Sequence, residues 1–178
     1  MGTQVRIQPG DCPSLDHLSV EALVIYFYSE RAQPRSVPGM VDWRLSGRLA
    51  RLLKSGRFGG LPGEALLMPS QGRIGAARVF LYGLGMPKAR VDDGLKVLFA
   101  PTLDSLRGAG VERVAVTIAP PHAGLFSAPE VLARWLSAVG SMEQPFTEVV
   151  LLEAQGELSQ AKARLQGAAS DAGLSLAP

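Results

Sequence analysis

The chain has 178 residues, 47% of them hydrophobic and 19% charged, with a formal net charge of +2. That length suits one domain, 1–178, and that composition excludes disorder and any need for a disulfide or metal staple. The single cysteine, Cys12, has no internal partner to pair with, as expected in a reducing, cytoplasmic setting.

The opening residues, MGTQVRIQPGD, carry no apolar signal-peptide core, and Arg6 stands where a myristoylation signal needs Ser or Thr. The longest apolar run, ALVIYFY, is far shorter than the roughly 18 residues a helix needs to cross a bilayer. A cytoplasmic protein off the membrane is therefore expected. Charge is unevenly placed: residues 1–90 hold 12 basic and 6 acidic side chains, residues 91–178 hold 6 and 10. Such asymmetry points to a polar contact surface.

In chain order, TQVRIQP alternates and predicts a short first strand. EALVIYFYSE is continuously apolar and predicts a strand buried on both faces, as in a parallel sheet. RAQPRSVPG, rich in Pro and Gly, reads as a loop. Next comes VDWRLSGRLARLLKSGRFGGLPGE, where five basic residues follow Asp42 before the next acid, Glu64. Asp42 suits an N-cap and Gly56 a C′ position, and Leu45, Leu49, Leu52 and Leu53 recur at helical spacing. One amphipathic helix is expected. Its Arg44, Arg48 and Arg51 fall within about 60° of one another on the wheel, and Lys54 closes it. EALLMP and ARVFLYGLG read as strands. A helix from Asp92 to Gly110 spaces Leu95, Leu98, Phe99, Leu103 and Leu106 and contains Pro101, which should kink it. VERVAVTIAP is another buried strand. SAPE, Ser127 to Glu130, is a capping box opening a helix that buries Val131, Leu132, Trp135 and Leu136. TEVVLLEA is a last strand, and Glu157 to about Ala172 a last helix. The alternation predicts an α/β protein with a mostly parallel sheet and helices on both faces.

Catalytic signals are poor. The chain has two histidines, His17 and His122, and no HExxH, CxxC, GxSxG or carboxylate cluster with metal-ligand spacing. No metal or cofactor is expected. DCPSLDH brings together Cys12, Asp16 and His17, the parts of a thiol nucleophile with a histidine base. A surface loop with a half-buried cysteine is the plainer expectation. Glycine-rich pieces offer loops for a small ligand: Gly83 and Gly85 follow a strand, and His122 and Gly124 follow another strand's carboxyl end, where α/β proteins bind ligands. The first lacks the third glycine and the lysine of a phosphate loop. GRFGGLPG runs from helix to strand, the wrong order for a helix N-terminus to receive an anion. Turn-making accounts for all of them. The basic face of Arg44, Arg48, Arg51 and Lys54 could meet phosphates, but no aromatic except Trp43 accompanies it. A solvated helix face is the plainer expectation; a protein contact comes next, above nucleic acid, since Arg is enriched at interfaces.

Three stretches carry a resemblance: ALVIYFYSE, then GMVDWRLSGRLARLLKSGRFGGLPGEALLMP, then GRIGAARVFLYGLG. From about Glu21 to Leu152 the chain resembles the N-terminal domain of the leucyl (cytosol) aminopeptidase family. The resemblance fades after about residue 125. It implies a macro-domain-like, three-layer α/β/α sandwich around a mostly parallel mixed sheet. It also implies a domain that, in the enzymes, helps build a hexamer ahead of a separate two-metal catalytic domain. The family's active-site signature, NTDAEGRL, does not occur in this sequence. The expectation is thus a non-catalytic interaction module whose partner is a second copy or another protein. The alternatives are a macro-type nucleotide or ADP-ribose binder and, as in some bacterial relatives, a DNA contact.

Overall fold

A computed structural model describes residues 2–29, 34, 36–86, 94–117 and 128–177, with side chains of 94–98 and 128–129 outside that description. Among the described residues seven strands form one sheet: β1 (Gln4–Pro9), β2 (Ala22–Tyr28), β3 (Ala65–Pro69), β4 (Arg78–Gly85), β5 (Arg113–Thr117), β6 (Glu148–Glu153) and β7 (Ser175–Leu176). Their order is β3-β4-β2-β5-β6-β1-β7. All neighbours run parallel except β3, which is antiparallel to β4 at one edge.

All seven residues of β2 are buried. The strand lies between β4 and β5, so both of its faces need apolar cover, which is why ALVIYFY shows no alternation. Ala22, Val24, Tyr26 and Tyr28 face one layer and Leu23, Ile25 and Phe27 the other. The first layer is built by α4 (Gly94–Gly108), α5 (Ala128–Gly140) and α6 (Leu158–Asp171). The second is built by α1 (Cys12–Asp16), α2 (Ser36–Arg44) and α3 (Arg48–Lys54). Each fully buried Leu or Ile side chain contributes about 2 kcal/mol through water exclusion. Val131, Leu132, Trp135 and Leu136 are buried as their spacing predicts, as are Phe99, Leu103 and Leu106 of α4, which runs through Pro101. Ser127, read as a cap, and the side chains of Leu95 and Leu98 lie outside the described residues.

Two expectations are overturned. The leucine–arginine stretch is two helices, not one. Ser46 (φ 57°) and Gly47 (φ 75°) are both left-handed and break it. The Gly47 amide donates to the Asp42 carbonyl and the Ser46 amide to the Trp43 carbonyl, the paired bonds of a Schellman ending. The α3 helix ends the same way, with Arg57 donating to Leu52 and Gly56 (φ 70°) to Leu53. Asp42 does cap a helix, but from inside α2: its Oδ1 accepts from the amides of Leu49 (2.7 Å) and Ala50 (3.2 Å) in the first turn of α3. Because Leu45, Leu49 and Leu53 are all buried across the break, the leucine spacing hides it. Ser36–Gly39, read as loop, is the first turn of α2.

Candidate functional site

At the carboxyl end of β4, Gly83 and Gly85 meet the loop that precedes β3. The Gly83 amide donates to the Glu64 carbonyl and the Gly85 amide to the Gly60 carbonyl, both at 2.8 Å. Glu64 Oε2 accepts from the amides of Gly59 (2.9 Å) and Leu61 (3.0 Å), holding the loop in shape. A Cβ at Gly83 would lie 2.0 Å from the Leu61 carbonyl oxygen, and one at Gly85 would lie 2.4 Å from Pro62 Cγ. The two glycine-rich pieces thus require each other: GLG is bare so that GRFGGLPG can lie on it. His122 and Gly124 lie outside the described residues.

Beneath this end sits an aromatic cluster. Tyr26 packs edge-on against Phe99, with ring centroids 5.3 Å apart, and its hydroxyl accepts from Trp135 Nε1 at 2.9 Å. Burial pushes the Tyr26, Tyr28 and Tyr82 hydroxyls above their ordinary range, so all three stay neutral. At the carboxyl end of β6, burial also pushes the Glu153 carboxyl up; its Oε1 accepts from the Ala154 amide at 2.8 Å. Sequence pattern gave no sign of Glu153, because it is one residue of a strand with no motif around it.

Cys12, Asp16 and His17 do not form a relay. Asp11 caps α1 by accepting from the Ser14 amide (2.9 Å), and Cys12 is half-buried at the helix start. His17 Nδ1 is 2.8 Å from the Pro13 carbonyl. Asp16 is committed elsewhere, to the Arg44 guanidinium, whose Nε lies 2.8 Å from Oδ1.

The four basic residues are distributed over two helices. Arg44 ends α2, pairs with Asp16 and lies 5.7 Å from the centroid of the Trp43 ring. Arg48 opens α3 and donates through Nη1 to the Pro69 carbonyl of β3 at 3.1 Å. Arg51 donates to the Ser46 carbonyl at 2.7 Å, clamping the break between helices. Lys54 is exposed at the end of α3. Sequence reasoning missed Arg57 just beyond it, which is exposed too. Trp43 and Met40 stand 67% and 47% exposed on α2, unusual for large apolar side chains on a lone domain. Among the described residues no group of three or more His, Cys, Asp or Glu side chains could hold a metal ion. Nor is any described helix long and apolar enough to cross a membrane.

A mixed seven-stranded sheet between two helical layers, with its antiparallel strand at the edge, defines a macro-domain-like α/β/α sandwich. A Trypanosoma brucei macrodomain in complex with ADP superimposes with a TM-score of 0.64 over 91% of this chain and 69% of its own, at 14% identity. A tomato leucine aminopeptidase does so with a TM-score of 0.60 over 96% of this chain and 36% of its own, also at 14% identity. The sequence takes the assignment further. Residues 23–132 match the N-terminal domain of the cytosol aminopeptidase family, and the chain belongs to that family. A probable cytosol aminopeptidase of Alkaliphilus metalliredigens is 29% identical over 103 residues, which are 58% of this chain and 21% of that protein. The chain thus aligns to about a fifth of the length of the relatives it matches.

Proposed function

We propose that this domain is a protein-interaction and assembly module that carries no peptidase chemistry of its own, joined to a second copy or to another protein through the α2–α3 side. The observation that carries this reading is the surface there. Trp43 and Met40 are exposed beside Arg44, and Arg48, Arg51, Lys54 and Arg57 continue the basic character. Aromatic and arginine side chains together are the composition of interface cores. The family assignment supports it as well, since what matches is the N-terminal domain. Light scattering coupled to size exclusion, at low and at high salt, tests it. A salt-sensitive oligomer is expected. A clean monomer at both salts removes self-association and leaves a different protein as partner. Metal-dependent hydrolysis of aminoacyl amides by the pure domain would overturn the non-catalytic reading.

The second reading is a macro-type nucleotide or ADP-ribose binder, favoured by the fold it shares with a macrodomain seen with ADP. Against it stands the carboxyl end of β4, where the chain's own Gly59–Glu64 loop fills the space above Gly83 and Gly85. Calorimetry against ADP-ribose decides: no heat at about 1 mM ligand, where even a weak site with a Kd near that value would be half filled, removes it.

A further inference from the structure

The edge of the sheet beside α3 combines three features. First, among the described residues β3 pairs with β4 alone, so no described strand takes its other side. The Glu64 carbonyl and the Ser70 amide bond across to Gly83 and Ala77 of the neighbouring chain segment. Backbone direction alternates along an antiparallel pair, so Leu66 and Met68 also point inward, and Ala65, Leu67 and Pro69 point outward. Pro69 has no amide hydrogen and its carbonyl is taken by Arg48. Among the described residues, that leaves the N–H and C=O groups of Ala65 and Leu67 as an open stretch of edge. Natural edges are commonly blunted by charge, proline or a covering element. Here the blunting stops at Pro69, and Leu67 is 54% exposed.

Second, a groove of about 430 Å³ runs along the same edge, on the α3 face of β3. Its floor is apolar, made by Leu52, Leu66 and Met68. Third, its rim is cationic, made by Arg48, Arg51 and Arg57, and none of its lining residues is acidic. Arg48 and Arg51 each spend one nitrogen on a backbone carbonyl and are thereby held in place, keeping further donors of a five-donor guanidinium. Arg57 makes no ion pair among the described residues.

We propose that this edge and groove bind an extended acidic segment of a partner protein, which adds a strand to β3 at Ala65 and Leu67. One of its apolar side chains enters the Leu52–Leu66–Met68 floor, and carboxylates two residues to either side meet the arginine rim. The spacing follows from the strand period: alternate side chains of an added strand face the groove, so groove-facing residues recur every second position. Carboxylates are the fitting charge because arginine binds them in paired, charge-assisted hydrogen bonds. A second copy docking edge to edge is the poorer occupant. A two-fold axis at the β3 edge keeps both α3 faces on one side and sets one arginine rim against the other. The proposal rests on the interaction-module reading and names the chemistry of the partner.

The test uses a seven-residue peptide with blocked ends: a central leucine, glutamates two positions to either side of it, and threonines elsewhere. Binding is followed by NMR titration of the labelled domain. Saturable shifts at Ala65–Leu67 and Arg57 are expected. Replacing both glutamates by lysines should weaken binding at least tenfold, as should Arg57→Glu in the domain. N-methylating the peptide backbone at alternate residues should abolish it, which tests strand addition without altering the protein. The proposal falls if the acidic peptide causes no shifts at about 1 mM, if the lysine peptide binds equally, or if a single-stranded oligonucleotide binds the same residues more tightly. A salt-sensitive oligomer whose assembly ignores Arg57→Glu, together with an inert peptide, would sink this site and leave the module reading standing. Binding of ADP-ribose by a monomer would sink that reading instead.

Discussion

Two neighbouring stretches of the β3–β4 hairpin, the carboxyl end of β4 and the outer edge of β3, resolve the same problem in opposite ways. Where β4 ends, at Gly83 and Gly85, the chain covers its own backbone with the Gly59–Glu64 loop, amide to carbonyl. Along the outer side of β3, at Ala65 and Leu67, none of the described residues pairs with the strand. Glycines suggest a ligand loop and leucines suggest core, yet the glycines are spent on the fold and the leucine-bearing edge is open. The residues that look like a site and the residues left available are different sets.

The strongest way to break that contrast is to stop the loop from lying on β4. At Gly83 an added Cβ would meet backbone atoms, Leu61 O at 2.0 Å and Gly60 C at 2.6 Å, and backbone cannot swing aside as a side-chain tip can. Gly83→Ala is expected to cost about 3 kcal/mol, a fall of about 10 °C in Tm for a chain of this size. Urea and thermal denaturation measure it. A loss below about 0.5 kcal/mol would mean that the loop is not seated on the strand at all.

Glu64→Ala acts on the same loop more gently. It removes one carboxylate that accepts from two amides, so about 1–2 kcal/mol of stability is expected to go, with faster hydrogen exchange at Gly59 and Leu61. Asp42→Ala does the equivalent on the open side. It strips the cap from α3 and is expected to cost about 1 kcal/mol. If the groove proposal holds, Asp42→Ala also weakens the acidic peptide, because Arg48 and Arg51 ride on α3; Glu64→Ala, whose carboxylate is spent on its own loop, should alter it far less. Equal effects of the two substitutions on peptide binding would erase the distinction between the covered end of β4 and the open edge of β3.

What was legible in the sequence was whatever is encoded locally. ALVIYFY announces a central strand because burial on both faces removes alternation, and Trp135 falls in the core because its neighbours keep a helical period. The helix break at Ser46–Gly47 was hidden because the leucines stay in register across it; the cost of about 1 kcal/mol for a glycine inside a helix was the available warning. Strand β7 could not be foreseen: two exposed residues become a strand only because Gln4 and Val5 of β1 lie beside them. The arginines of the candidate surface were visible, but not their partners. Asp16 and the Pro69 carbonyl come from distant segments that only folding brings to Arg44 and Arg48, and the Ser46 carbonyl, though local, reaches Arg51 only because the helix breaks between them. That β3 is an edge at all is a fact of strand order, which no residue of EALLMP declares.

The smallest expected effect concerns pH, and it belongs to the opposite end of the sheet. Glu21 sits before β2 and is partly buried, which by itself raises a carboxyl's pKa. The Arg113 amide (2.5 Å) and guanidinium (2.7 Å), with the Glu112 amide (3.2 Å), outweigh that and hold it below its ordinary value of 4.5. A carboxylate whose pKa is lower folded than unfolded stabilises the fold at pH above the unfolded value. That contribution fades as pH falls from about 4.5 through the lower folded value. Glu21→Gln should therefore lower Tm slightly at neutral pH and flatten the acid side of the Tm–pH curve, while leaving peptide binding at the β3 edge as it was. Glu153 has the opposite sign: burial raises its folded pKa, so its contribution is greatest in acid and is lost as pH rises through that value. Glu153→Gln should then narrow the loss on the alkaline side of that window, and a pair of variants with the same slope change would show that one of the two environments is misassigned.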